Sequence, residues 1–289
     1  MALLTLLTCL VLGILILLFA FFRTVQGSLK RPSLEALSLG LVANFFDTLG
    51  IGSFAPSTAY IKFRHLVSDD LIPPSLIVGY AIPTSLEALI FISSVQVDPT
   101  LLAGSIIMAI IGALLGSLLA ERLPLQQIRL SMGVGLLIAA AIFALSNLGL
   151  MPAGGAATSF GSLKFAIALV VNFVLGILMN VGIGNYGPLL ITLSLMGLDP
   201  RAAFPIMMGS SAFLMLATGT RLVGSRPLNK SFLIGMTVGG VPGVLVAAFV
   251  VRSLAIEALR WGVVAVATYT AFLMVSSAVR SNKAAQNLA

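Results

Sequence analysis

Charge is what this sequence has least of. Asp, Glu, Lys and Arg make up 9% of its 289 residues, against roughly 25% in an average soluble domain, and 59% of the chain is hydrophobic. Sixteen Lys and Arg and nine Asp and Glu cannot clothe a water-facing surface of this size, so the apolar exterior has to face lipid. That excludes a secreted toxin, a nucleic-acid-binding domain and an ordinary cytosolic enzyme. The single cysteine, Cys9, and the single histidine, His65, exclude an internal disulfide, a Cys/His zinc cluster and a Cys-His nucleophile pair close in sequence. Cys9 lies in an apolar run and reads as packing. The Gly-x-x-x-x-Gly-Lys-Ser/Thr phosphate loop is also missing, so direct ATP drive is not expected of this chain. No cofactor, metal or enzymatic activity is expected either.

The formal charge of +7 does not point to nucleic acid, because no basic run exceeds Lys30-Arg31. In a membrane protein such an excess belongs in cytoplasmic loops. The uncharged run from about Leu3 to Phe22, closed by Arg23, has roughly the 20 residues a bilayer crossing needs. It is expected to be a retained helix, since no charge precedes it and no small-residue cleavage site follows.

Further apolar segments run at about 34 to 61, 71 to 95, 100 to 120, 128 to 148, 163 to 196, 202 to 220, 231 to 251 and 258 to 279. Two are too long. As straight helices, those holding Gly50-Ile51-Gly52 and Gly182-Ile183-Gly184 would measure roughly 40 to 50 Å against a core of about 30 Å. Each is expected to break at its glycines. If each broken segment crosses once, Arg23, Lys30, Arg31, Lys164, Arg221, Arg226, Lys230, Arg280 and Lys283 lie inside. The other seven, Lys62, Arg64, Arg122, Arg129, Arg201, Arg252 and Arg260, then lie outside. If each returns to its starting side, Lys62, Arg64, Arg122 and Arg129 move inside and Lys164 moves out, giving 12 against 4. The second arrangement fits the positive-inside rule better, with the N-terminus outside and the C-terminus cytoplasmic.

The chain also repeats itself. Gly50-Ile-Gly-Ser-Phe-Ala-Pro56 aligns with Gly182-Ile-Gly-Asn-Tyr-Gly-Pro188 at an offset of 132, which also pairs Pro73 with Pro205. An offset of 131 pairs Gly104 with Gly235, Gly112 with Gly243 and Arg129 with Arg260. The expected organisation is an N-terminal transmembrane helix and basic loop (1–33), a first repeat (34–148), a linker (149–162), a second repeat (163–280) and a tail (281–289). The fold class follows as an all-α polytopic membrane protein. Its two inverted repeats carry glycine-broken helical hairpins that meet near the midplane, where such folds place their substrate.

A helix that starts at a glycine break leaves unpaired N–H groups, which together with the helix dipole favour an anion. The substrate-site residues expected on this ground are Gly50, Gly52, Ser53, Phe54, Pro56 and Ser57 in one repeat, and Gly182, Gly184, Asn185, Tyr186 and Pro188 in the other. Ser53, Ser57 and Asn185 could add donors, and the prolines fit early helix positions. Close helix packing is the competing reading of these glycines, and the favoured one for Gly112-Ala-Leu-Leu-Gly116 and Gly239-Gly-Val-Pro-Gly243. Thr84, Ser85, Ser210 and Ser211 occupy equivalent places, and either ring the same cavity or bond to carbonyls of their own helices. Asp47 and Glu87 are the acids placed inside the bilayer, where each needs a partner or a proton. They are the candidates for proton coupling, and the second repeat carries Met179 and Phe213 in their neighbourhoods. Asp69-Asp70 looks like half of a metal-diphosphate motif, but without a second acidic cluster Ser68-Asp69-Asp70 reads as a helix cap. Lys62, Arg64 and His65 read as interfacial anchors.

The twice-repeated glycine motif followed by proline, with Pro83-Thr84-Ser85 and Gly209-Ser210-Ser211 downstream, resembles the sulfite exporter TauE/SafE family of membrane permeases. The resemblance covers about residues 34 to 280. It implies a secondary transporter of the plasma (inner) membrane that moves sulfite, an organosulfonate or a related sulfur-containing anion by alternating access. The family often has a run of glycines at the break, where this chain has Ser53-Phe54 and Asn185-Tyr186. The expected partners are the small anion and the lipid bilayer, with no nucleic acid; homo-oligomerisation stays open. A passive anion channel and a non-transporting membrane scaffold are the alternatives.

Overall fold

The computed structural model describes residues 2–25, 31–150 and 155–250, with scattered helical positions between 261 and 279. Lys30, Arg252, Arg260, Arg280, Lys283 and the tail at 281–289 lie outside the described residues, and with Arg260 the Arg129/Arg260 pairing. The described chain is all helical. Seven helical stretches are long and apolar enough to cross a bilayer: Leu4–Arg23, Asp69–Ser94, Pro99–Ala120, Leu125–Asn147, Ser162–Met179, Pro200–Ser225 and Lys230–Phe249. They suggest a multi-pass integral membrane protein.

Helix α1 (Ala2–Arg23) runs uncharged to its final residue. It presents Leu4, Phe19 and Phe22 outward and lays Leu10 and Leu17 against the rest of the bundle. Next come α2 (Leu34–Thr48) and α3 (Phe54–Arg64), then a 3-10 turn at Asp69–Leu71 that leads into α4 (Ile72–Ser94). Helices α5 (Pro99–Ala120) and α6 (Leu125–Asn147) complete the first half. The second half holds α7 (Ser162–Met179), α8 (Tyr186–Leu195), α9 (Pro200–Ser225) and α10 (Lys230–Leu245), which runs on as a π-helical turn at Val246–Val250.

Short polar residues set several helix starts. Asp98 accepts from the Thr100 and Leu101 N–H groups at 2.7 and 3.4 Å, with Pro99 beside it. Asp199 accepts from Arg201 N–H at 2.8 Å, with Pro200 in the same place. Proline fits there because its missing N–H would be unpaired anyway.

The two long apolar segments are each two helices. Gly50 and Gly52 sit at φ +82° and +88° between α2 and α3, and Gly182 at φ +91° between α7 and α8. Residues with a Cβ rarely adopt that region. Helices α4 and α9 are the most enclosed and lie side by side at the centre. Around them, α10 packs on α2 and α7 packs on α5 through glycine. A Cβ at Gly239 or Gly243 would collide with the carbonyls of Leu37 and Leu41, and one at Gly112 with that of Phe173. The first half of the chain contributes Gly112 and Leu41, the second Gly243 and Phe173, so the same kind of contact occurs twice.

Ion pairs gather at one end of the bundle. There Asp69 is held by Lys62 at 2.6 Å and Arg129 at 2.7 Å, Asp70 by Arg226 at 2.9 Å, and Glu121 by Arg221 at 2.6 Å. Glu35, in the first turn of α2, pairs with Arg64, the last residue of α3, at 2.7 Å. Asp69 and Asp70 thus work as ion-pair partners, and the Ser68 side chain makes no capping bond. Basic side chains arrive from α3, α6 and α9, and these claim the carboxylates. At the other end Lys164, near the start of α7, reaches the Met196 carbonyl just past α8 at 2.7 Å. The segment before α7 joins it there, Ala157 O accepting from Asp199 N–H at 2.8 Å and Thr158 O from Asp98 N–H at 3.2 Å.

Candidate functional site

The two breaks meet. A Cβ on Gly184 would stand 3.1 Å from the Cβ of Phe54, and one on Gly52 would stand 3.7 Å from the Cβ of Tyr186. These contacts are reciprocal under the offset of 132, since Gly52 corresponds to Gly184 and Phe54 to Tyr186. Each glycine lets the first residue of the opposite short helix approach. Gly50 faces the Phe204 ring and Gly182 faces Met132 and Pro73, so these two hold the turns and lie further from the meeting point.

Between the breaks is a cavity of about 20 Å³, lined by Asp47, Gly52, Ser53, Phe54, Met179, Gly184, Asn185, Tyr186 and Met215. A neighbouring cavity of about 40 Å³ is lined by Ile51-Gly52 of one turn, Gly182-Ile183-Gly184 of the other, Pro188 and residues of α6. A water molecule needs about 10–15 Å³ on this measure. The spaces hold a few waters at most.

Buried polar groups converge there. The Ser53 N–H, at the start of α3, donates to Asp47 Oδ1 at 2.6 Å. The Asp47 carboxyl also faces those of Glu87 and the Thr84 hydroxyl. Glu87 Oε2 accepts from the Tyr186 hydroxyl at 2.9 Å, and Glu87 Oε1 lies 2.8 Å from the Thr48 hydroxyl. Asn185 Oδ1 accepts from Ser211 Oγ at 2.9 Å, and Asn185 lines the cavity. Ser210 donates to Asn172 on α7 at 3.0 Å. Asp47, Glu87, Thr84, Ser53, Asn185, Ser210 and Ser211 are all buried.

The remaining residues read from the sequence fall elsewhere. Ser85 bonds to the Ala81 carbonyl of its own helix at 2.6 Å, and Ser211 adds the same kind of bond to Met207 at 2.8 Å. Ser57 shares a hydrogen bond of 2.7 Å with the Tyr80 hydroxyl, at the rim of the polar centre. Pro56 is the third residue of α3 and Pro188 the third of α8, where neither costs an intrahelical bond. Pro56 and Ser57 also border a larger cavity of about 620 Å³ between α2, α3 and the described positions Ala265 and Tyr269. Its lining is apolar apart from hydroxyls, so it offers an anion no charge complement.

Thr48, Tyr80, Asn172, Met179 and Met215 belong to this polar centre or its rim and were not among the residues read from the sequence. Asn172 carried a signal, being polar in a run otherwise apolar. The helix starts at Ser53 and Asn185 differ in one respect. The first already holds a carboxylate of its own chain, whereas the second has Met179 in the place of Asp47 and no acid. No family profile, curated protein or solved structure matches this chain, so its function is read from these residues.

Proposed function

We propose that this protein is a secondary transporter of a small anion that works by alternating access, with the two glycine breaks as its binding centre. The carrying observation is the reciprocal approach of Gly52 to Tyr186 and Gly184 to Phe54, which brings two short-helix N-termini to one small cavity that Asp47, Ser53 and Asn185 help to line. Helix N-termini and the Asn185 amide favour negative charge. A membrane scaffold needs neither irregular backbone nor buried polar groups at this depth, and lipid would penalise both.

In this reading the halves are inverted repeats. The Glu35–Arg64 pair supports a first segment that returns to its starting side, and the Lys164–Met196 contact supports the same for the second, at the opposite end. The basic end carries Lys62, Arg64, Arg122, Arg129, Arg221, Arg226 and Lys230, while Lys164 and Arg201 mark the other. The positive-inside rule then makes the basic end cytoplasmic and the N-terminus external, and the plasma membrane is what the resemblance to the TauE/SafE permeases implies. The resemblance to the TauE/SafE permeases supplies the substrate class, sulfite or an organosulfonate.

The test is uptake of radiolabelled sulfite, sulfate and methanesulfonate into proteoliposomes, comparing the wild type with Asn185→Leu. Saturable uptake that shows counterflow and is lost in the variant supports a carrier. Flux without saturation or counterflow points to a channel. If correctly folded and oriented protein moves none of the three, the transport reading fails and a scaffold gains.

A further inference from the structure

We propose that Asp47 is an internal stand-in for the transported anion, and that its exchange with that anion ties each anion to one proton. This rests on the transporter reading above. The Ser53 N–H is the donor an incoming anion would use at the start of α3, and Asp47 Oδ1 already occupies it at 2.6 Å. An anion can take that place only if Asp47 leaves.

The cluster cannot simply accept another negative charge. Asp47 and Glu87 are buried together, and the titratable groups facing them are Tyr186 and Tyr80; among the described residues no Lys, Arg or His does so. On α10, packed against α2, the sole charged residue is Lys230 at the basic end. Two like charges in contact without a cation are not both retained, so the pair holds one proton and one negative charge. The negative charge belongs on Asp47, whose Oδ1 accepts the Ser53 backbone N–H at 2.6 Å, a donor that favours the carboxylate form, and the proton is then left to Glu87.

The charge balance of a cycle follows. An anion of charge −1 binds at Ser53 N–H and the Asn185 amide. Asp47 swings off and takes one proton from water on the same side, so the cluster still carries one negative charge. On the other side the anion leaves, the proton leaves Asp47, and the carboxylate returns to Ser53. One anion and one proton cross together, and no net charge moves.

Methanesulfonate is the probe, because it stays ionised across the working pH range and cannot carry the proton itself. Wild-type proteoliposomes loaded with a pH dye are expected to acidify during methanesulfonate uptake at one proton per anion, with no dependence on membrane potential. Asp47→Asn, which keeps an acceptor for Ser53 N–H, is expected to lower that ratio at least tenfold, and Glu121→Gln, at the basic end outside the cluster, to leave it near one. Anion uptake without acidification, or an unchanged ratio in Asp47→Asn, overturns the inference while leaving the transporter reading intact. Absence of any uptake in the wild type removes the transporter reading itself. Should Asp47→Asn carry no flux, infrared difference spectra of the wild type decide. A carboxylic C=O band should appear when methanesulfonate binds, and binding without it rejects the stand-in role.

Discussion

The hydroxyl of Tyr186, in the second half of the chain, donates to Glu87 in the first at 2.9 Å, and both residues are buried. It is a direct polar tie between the helix that starts at one break and the central helix of the other half. Tyr186→Phe removes the donor and keeps the ring. Loss of a buried hydrogen-bond partner costs about 1–3 kcal/mol, so a lower unfolding midpoint in a thermal scan of the purified protein is expected. Uptake kinetics should change as well, and a variant indistinguishable from wild type in both would remove the tie from the mechanism.

The glycine contacts between α2 and α10 and between α5 and α7 are backbone to backbone, so there is no side chain to move aside. Gly112→Val and Gly239→Val should each destabilise the fold by about 2 kcal/mol or more, toward the upper range of overpacking. Gly224→Val is the control, since nothing lies within 4 Å of the Cβ it adds. Equal melting behaviour in all three would contradict the packing described.

Glu121 is held below the usual carboxylate range by its hydrogen bond to Arg221 at 2.6 Å. A depressed carboxyl contributes stability that is present above its free value and lost as pH falls through the depressed one. The pair therefore stays closed between pH 6 and 8 and opens only in acid. Both side chains are about 30% exposed, which limits the contribution to roughly 1 kcal/mol or less. At neutral pH Glu121→Gln should reproduce the acid state, read as faster thiol labelling of a cysteine placed at Ser117. Wild-type labelling that already rises between pH 8 and 6 would contradict this assignment.

Orientation is open to a direct check. In a Cys9→Ala background, Arg122→Cys at the basic end should react with an impermeant thiol reagent from the cytoplasmic side only, and Ser159→Cys from the outside only. Both positions are exposed. The reverse pattern would invert the membrane placement.

Much of this architecture can be read from particular residues. The glycines at 50, 52 and 182 mark the helix breaks, because segments of that length do not fit a bilayer unbroken and positive φ selects glycine. The Gly112/Gly243 pairing marks two equivalent helix contacts. Side-chain partnerships across the molecule are another matter. Asp69-Asp70 has the local pattern of a helix cap, and only the folded chain brings Lys62, Arg129 and Arg226 to it. Asp47 reads as an acid in need of a partner, yet nothing local tells that the chain reverses to hand it the Ser53 N–H. Tyr186 reads as a bulky intruder at a glycine turn, and its contact with Glu87 joins positions 99 residues apart.

The correspondence of Asp47 with Met179 bears on how the protein rests. If the halves are inverted copies, perfect equality would make the outward-facing and inward-facing shapes mirror images of equal free energy, each occupied half the time in the absence of substrate. On the transporter reading proposed above, the hold of Asp47 on the Ser53 N–H, with Met179 at the corresponding place, is one of the differences that remove that equality. The idle protein would then rest unequally between its two shapes, and that preference would persist with no gradient across the membrane.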